Sequence, residues 1–550
     1  MSWPIAEPAP NGVWDLWGGS GSNRRRPDHL SSRRPVVPPR ESTRSPRRQY
    51  RRRISASTSS LLAPRSRCRH RRRERSWPPL PFHPHGQRGR PFRRRRHPTS
   101  QPRKAEEPLY HCVVSARVTR RSFLKAGIAI GAVAGASLIR APWATAAPRP
   151  MGLTSAEQVA QRVLELARES VELGSRGVGG VLLDNRNGEV IREGRNYRFL
   201  PVDPAVASRP DEVLTFDPTA HGETALVGWY VSNRRRLALP DPADLTIVTS
   251  LDPCAMCTGS ILTMGFNAAV VAHDPTGGMN ATMDGRYRTL TPPLRSQALD
   301  SIGFYAIAGE RSYSGPQQIP FRRSQVTAQT ARACQEVFIS PGKGKPVDYA
   351  VPVDQVINPL SLPASDPFRL AMQQVWPEAG AVRVASPYHP SKELKAYLQH
   401  LVRQSPGALN AVAFIDRFGN LLTARADNPR RMPFGTAFMN TTQTYARGRY
   451  ELFNDPRTHE AARQALAAPE HGAFIWLHAP DPDTAPTLKD IGAYGATMGV
   501  RTPGGFQFYE PPLRGTYARL LEQIAFLPPF FTQRVDISPL PVGVFSSVLP

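Results

Sequence analysis

Between residues 178 and 274 the sequence spells strand, turn, strand, helix, strand, helix, strand, and few architectures accept that order. VGGVLLDNRNGEVIREGRN (178–196) is an apolar strand, an Asn-Gly turn and a second strand, a strong hairpin signal. A helix is predicted near 221–234. LTIVTSL (245–251) reads as a buried strand, PCAMCTGSILTMG as a helix start, and NAAVVAHD (267–274) as another strand. Ahead of the hairpin, the capping box Thr154-Ser155-Ala156-Glu157 opens a helix with Val159, Val163 and Leu166 on one face. Strands alternating with helices predict an α/β sandwich with a largely parallel sheet core.

The order recurs farther along. Leu394, Leu398 and Leu401 repeat the helical spacing after Ser391. NAVAFIDRFGNLLTARADN (410–428) matches the first hairpin, Asp416 and Asn428 falling on Asp184 and Asn196 without a gap. FIWLHAPDP (474–482) follows TIVTSLDP, which sets Asp481-Pro482 against Asp252-Pro253 and leaves Asp483 and Pro486 where cysteines would stand. Three elements in order predict a duplicated domain whose second copy has lost its metal ligands. That copy is expected to pack on the first as an internal pseudo-dimer.

Cys254 and Cys257 stand three residues apart in LDPCAMC. Two thiols at that spacing suit a redox pair, a disulfide or half of a metal site. Upstream, DPTAHGE (217–223) holds His221 and Glu223. His221-Gly222-Glu223 followed by Pro253-Cys254-Ala255-Met256-Cys257 is the H-x-E…P-C-x-x-C signature of zinc deaminases. One imidazole and two thiolates give zinc three protein ligands and leave the fourth tetrahedral position for water, the pattern of a catalytic site. Glu223, two residues past His221, is the non-ligand carboxylate that can carry the proton.

Residues 153–310 resemble the cytidine and deoxycytidylate deaminase superfamily, in the branch with guanine deaminases and tRNA adenosine deaminases. DPTAHGE (217–223), SLDPCAMCTGSI (250–261) and Asn196 carry the resemblance. It implies a three-layer α/β/α sandwich, catalytic Zn2+ and hydrolytic release of an exocyclic amine as ammonia. By the same resemblance His221, Cys254 and Cys257 are ligands, Glu223 is the proton shuttle, and Asn196 contacts the base or sugar. The chain departs from the family in Gly222, in Asp252 before the proline, and in a long loop from Tyr197 to Phe216. The implied substrate is a small aminated base or nucleoside. The alternatives are a secreted, toxin-like polynucleotide deaminase and a non-catalytic binding protein on the same fold.

The formal charge of +27 does not call for a nucleic-acid partner once it is located. Residues 1–112 hold 26 Arg and one Lys against seven acids, and 113–147 add five basic residues and no acid. Residues 148–550 carry the remaining +2, so charge demands no polyanion groove there. The Arg/Pro-rich 1–112 segment has no apolar periodicity and is expected to be disordered, with a start assigned too far upstream. From Thr119, TRRSFLKAGIAIGAVAGASLIRAPWATAA resembles a twin-arginine signal peptide. Arg120 and Arg121 precede a 14-residue apolar run, short of the roughly 20 that span a bilayer, and Ala144-Thr145-Ala146 suits signal peptidase. The expected partner is the twin-arginine translocase during export, with no membrane attachment after cleavage.

The expected division is therefore a disordered segment (1–112), a signal peptide (113–147), a zinc-dependent deaminase domain (148–345), a linker (346–379), and a degenerate deaminase-like domain with a tail (380–550). A twin-arginine route carries folded protein, which lets zinc cover both thiols before they meet an oxidising compartment. Replacing Arg120→Lys together with Arg121→Lys is expected to retain a zinc-loaded precursor inside the cell. Cell fractionation with metal analysis checks this, and undiminished export of the double variant would refute it.

Overall fold

The computed structural model describes residues 152–280, 286–510 and 517–539. The segment 1–112 and the twin-arginine stretch lie outside them. The expected hairpin forms as Gly179–Asp184 and Val190–Arg195, the latter at the edge of a five-stranded sheet. Inward from it the spatial order is Gly179–Asp184, Leu245–Leu251, Asn267–Ala272 and Ile302–Phe304. The first two ladders are antiparallel and the last two parallel. The sheet is thus mixed rather than largely parallel, because the tight hairpin sets the edge strand and its neighbour in opposite directions.

The period of two along each strand separates two cores. Leu182, Ile247, Ala268 and Val270 face one, packed with Leu226, Met256 and Ile261. Val181, Leu183, Val248, Ala269 and Val271 face the other, packed with Val159 and Val163 from the helix Ala156–Glu172 and Ala331 and Cys334 from Ala328–Ile339. Helices on both faces of one sheet make the three-layer α/β/α sandwich. The first helix is capped one residue later than the capping box predicts. The Ser155 hydroxyl accepts from Gln158 N, while Glu157 reaches across to Thr327 N and Thr330 Oγ1.

A second five-stranded sheet has the order Leu421–Ala426, Ala411–Ile415, Ala473–His478, Phe506–Glu510, Ile537–Pro539. Its ladders repeat the sequence antiparallel, antiparallel, parallel, parallel. Both hairpins carry a register shift at the same place, between Leu182 and Leu183 and between Phe414 and Ile415. Lys392–Gln404, capped by Ser391, covers one face through Leu394 and Leu398. Ala437–Asn454 and Ala485–Thr497 cover the other, and their core is continuous with that of the first half.

Residues 346–379, expected as a linker, contain the helix Pro367–Val375, which buries Phe368 and Met372 in that shared core. Trp376 is buried beside them and donates from Nε1 to Thr444 O. The long Tyr197–Phe216 loop holds an antiparallel pair, Phe199–Pro201 with Glu212–Thr215, packed near Tyr450 and Phe453 of the second half. No helix among the described residues is long and apolar enough to cross a membrane.

The helix that starts at the cysteines, Ala255–Met264, lies directly on Ala485–Thr497, with glycine at the closest points. A methyl on Gly492 would stand 2.0 Å from Met256 N, and one on Gly259 would stand 2.8 Å from Ala485 O. Gly492→Ala therefore has to push backbone rather than a flexible side chain, and overpacking of this kind costs about 1–3 kcal/mol. At Gly222, by contrast, the nearest atoms to an added methyl are 3.5 Å away, so Gly222→Ala should be neutral or stabilising by up to about 1 kcal/mol. Chemical denaturation of the two variants tests the pair, and equal stability of both would contradict this packing.

Candidate metal centre

Two helix starts converge at the ends of the strands of the first sheet. His221 is the N-cap of Gly222–Asn233, and Cys254 is the N-cap of Ala255–Met264. Neither cap uses its side chain on its own helix, so both side chains are available to the space between. Cys257 lies in the first turn of the second helix, where the helix dipole favours a thiolate. His221 Nδ1 is 3.5 Å from Cys254 Sγ and 3.6 Å from Cys257 Sγ, and the two sulfurs are 3.5 Å apart.

Those separations fit zinc. Tetrahedral bonds of about 2.3 Å to sulfur and 2.0–2.1 Å to nitrogen place two sulfurs about 3.8 Å apart and a sulfur and a nitrogen about 3.5 Å apart. Among the described residues no other group of three His, Cys, Asp or Glu donors gathers so closely. The sulfurs are not bonded to each other, and Cys334 is buried in the core on the opposite face of the sheet, out of their reach.

The electrostatics of the donors are those of a cation site. A hydrogen bond with Cys257, followed by the His221 charge, brings the Cys254 thiol well below its ordinary range. Burial and the Cys254 charge push the Cys257 thiol up. Burial pulls the His221 imidazole down, but the charge and hydrogen bond of Cys254 outweigh it, and the net direction is up. Glu223 is buried beside them, with Oε1 accepting from Thr249 Oγ1 at 2.9 Å and Oε2 3.3 Å from Cys257 Sγ. Burial, then the Cys254 charge, raises its carboxyl above the ordinary carboxylate range, so it holds a proton more readily than a surface acid does.

Asn196 stands on the wall of the same cavity, and its side chain links the hairpin to the histidine helix. Its Oδ1 accepts from Gly222 N at 2.8 Å, satisfying an orphan donor of the helix start, and its Nδ2 donates to Arg176 O at 2.9 Å. The five residues singled out in the sequence line one cavity, and the sequence pattern marks none of their supports. Arg447 donates to Asp217 Oδ2 at 2.5 Å, and Gln443 Nε2 donates to Thr219 Oγ1 at 2.6 Å. Both donors come from the Ala437–Asn454 helix, and both hold the turn that delivers His221. Nothing in the local pattern marks them, since their partners lie over 200 residues upstream.

The corresponding place in the second half has no ligand set. Relative to the helix starts, Thr436 and Phe438 stand where His221 and Glu223 do, and Thr484 and Thr487 where Cys254 and Cys257 do. These stand one residue after the expected Asp483 and Pro486, because Asp483 separates Pro482 from the Thr484 cap whereas Cys254 directly follows Pro253. Phe438 packs on Trp476 with ring centroids 5.0 Å apart, so aromatic side chains occupy this end of the second sheet.

A cavity of about 520 Å³ opens over the donors. Its walls include His221, Glu223, Cys254 and Asn196 from the first half, and Gly492, Ala496 and Phe530 from beyond it. His221→Ala and Cys254→Ser should each abolish stoichiometric zinc binding, measured by metal analysis of the purified protein. Arg447→Met should leave all three ligands in place yet weaken zinc about tenfold in a chelator competition, the low end for removing an outer support. Unchanged affinity in that variant would remove the second half from any role in holding the histidine turn.

Residues 153–273 match the model of the cytidine and deoxycytidylate deaminase zinc-binding region. Over 106 residues the chain is 31% identical to the tRNA-specific adenosine deaminase of Haemophilus influenzae, an alignment covering 19% of this chain and 51% of that protein. The chain thus spans about half the length of that curated relative. Among solved structures it is similar to a guanine deaminase from Nitrosomonas europaea, at 16% identity and a TM-score of 0.21, covering 35% of this chain and 89% of that one. It is also similar to a tRNA:A34 deaminase that edits A to I at the wobble position of transfer RNA, at 25% identity and a TM-score of 0.18, covering 24% and 88%. The matched stretch contains all three donors and Glu223, and its likeness is to the zinc-binding region of deaminases.

Proposed function

We propose that this protein is a zinc-dependent deaminase that removes an exocyclic amine, as ammonia, from a nucleobase, nucleoside or similar aminated heterocycle. The observation that carries the reading is the joint placement of three donors 3.5–3.6 Å apart with a buried, non-ligand carboxyl 3.3 Å from one of them. When bound, zinc supplies the Lewis acidity that makes a water nucleophilic near neutral pH.

The chain's own residues account for the proton traffic. Hydrolysis forms a C–O bond at the ring carbon, breaks its C–N bond, and moves one proton from water to the ring nitrogen and another to the departing amine. Glu223 is the carrier. Thr249 fixes Oε1, so Oε2 is the atom left to take and return the proton, and the raised proton affinity suits a group that has to do both. Asn196, with one amide hydrogen on Arg176 O, is proposed as a contact to the base or sugar. The matching strand order of the second sheet supports reading it as a degenerate copy that shapes the cavity without metal. Export in the folded, zinc-loaded state through the Arg120-Arg121 segment is part of the same proposal.

An ammonia-release screen across bases, nucleosides and nucleotides tests the reaction. On any substrate so identified, Glu223→Ala should keep its zinc and lose turnover by about 10²- to 10⁴-fold, the range for removing a positioned acid–base group. Zinc retention with full activity in this variant would show that the proton is carried elsewhere.

A further inference from the structure

Three guanidinium groups line the cavity that holds the donors: Arg176, Arg198 and Arg534. They come from far apart in the chain, the first just after the opening helix, the second beyond the hairpin and the third near the end of the described residues. None of them ion-pairs with a carboxylate among the described residues. Arg534 lies 3.9 Å over the ring of Phe530, and among the described residues the one hydrogen bond of its guanidinium is a long one, 3.4 Å to Gly495 O. Arg198 rests 5.3 Å over Phe199, and its buried Nε has no partner.

The acids of the same cavity are each held through one oxygen, although the other oxygen of Asp252, the buried Oδ1, has no partner among the described residues. Asp274 Oδ1 accepts from Thr276 N, Thr276 Oγ1 and Gly277 N. Asp252 Oδ2 accepts from Asn280 N, and Glu223 is held by Thr249. The like charges are close enough to act on one another. Burial and then the Arg198 charge lower the proton affinity of Arg176, and the same two causes bring Arg534 down to about 10. Three guanidiniums and three carboxyls, Glu223, Asp252 and Asp274, thus share the cavity, and the carboxyls take hydrogen bonds from neighbouring donors rather than from the arginines.

Clustered guanidiniums with unused donors are a binding site for an oxyanion, whose charge would relieve their repulsion. We propose that Arg176, Arg198 and Arg534 bind an anionic group carried by the aminated heterocycle, so that the substrate is a phosphorylated or carboxylated compound rather than a neutral base. This rests on the deaminase reading of the same cavity. A cavity of about 520 Å³ with walls from both halves suits a small molecule over a polymer.

The test uses the full zinc-loaded protein in two independent measurements. Binding of inorganic phosphate and of acetate by calorimetry needs no turnover, and wild-type protein should bind at least one of them. Arg198→Gln and, as a second variant from the other half, Arg534→Gln should weaken that binding about 10- to 100-fold, with thermal midpoints confirming the fold. Ammonia release is then compared across a base, its nucleoside, its 5′-monophosphate and a carboxylated analogue. Wild-type kcat/KM should favour an anionic compound, and both variants should reduce that preference by a similar factor, mainly through KM. A preference for the phosphate or for the carboxylate identifies which oxyanion is carried.

Equal use of neutral and anionic compounds, with neither anion bound, overturns the proposal. Turnover of an oligonucleotide while every monomer is inert overturns it too. Anion binding lost in the variants without ammonia release from any compound would leave the arginine site standing and remove the deaminase reading.

Discussion

Three electron-rich atoms held within 3.6 Å of one another are a costly arrangement for a folded chain, and much of the first half is organised to hold it. Two helices, Gly222–Asn233 and Ala255–Met264, each present an N-cap residue to the same space. Because the cap side chains are not spent on their own helices, the backbone N–H groups there need other partners. Asn196 supplies one for the histidine helix. The helix dipoles favour the thiolate form, and Cys254 is held low while Cys257, its partner, is held high. Cys254 and Cys257, with His221, would hold a divalent cation, which would favour the thiolate form of both sulfurs.

The second half, which gathers no ligand set among the described residues, touches the first at two places that matter for the site. Its Ala437–Asn454 helix pins the Asp217–Thr219 turn, and its Ala485–Thr497 helix meets the cysteine helix backbone to backbone at Gly492. Two residues past the Thr436 cap stands Phe438, stacked on Trp476. The cavity is consequently asymmetric, with donors on one wall and Gly492, Ala496 and Phe530 on another.

How much of this was legible in the sequence depended on distance along the chain. The donors and Glu223 were readable because each lies in a short motif at a helix start, and the strands were readable because burial on both faces gives near-continuous apolar runs. The antiparallel pairing of Gly179–Asp184 with Leu245–Leu251 was not, since the apolar pattern of a buried strand does not say which neighbour it takes or in which direction. The Thr484 and Thr487 positions are not legible, because Asp481-Pro482 keeps the look of Asp252-Pro253 while one extra residue, Asp483, moves the helix start. Arg176, Arg198 and Arg534 carry no pattern at all. Each is an ordinary arginine until folding brings segments some 350 residues apart to one cavity.

Joining both halves in one chain has a consequence for how the site responds to concentration. Where a cavity wall comes from a separate subunit, dilution removes it and the site's composition follows a dissociation constant. Here Arg534, Phe530 and the Gly492 contact are tethered to the donors they complete, so their effective concentration is fixed by covalent linkage. The cavity keeps the same walls at any protein concentration.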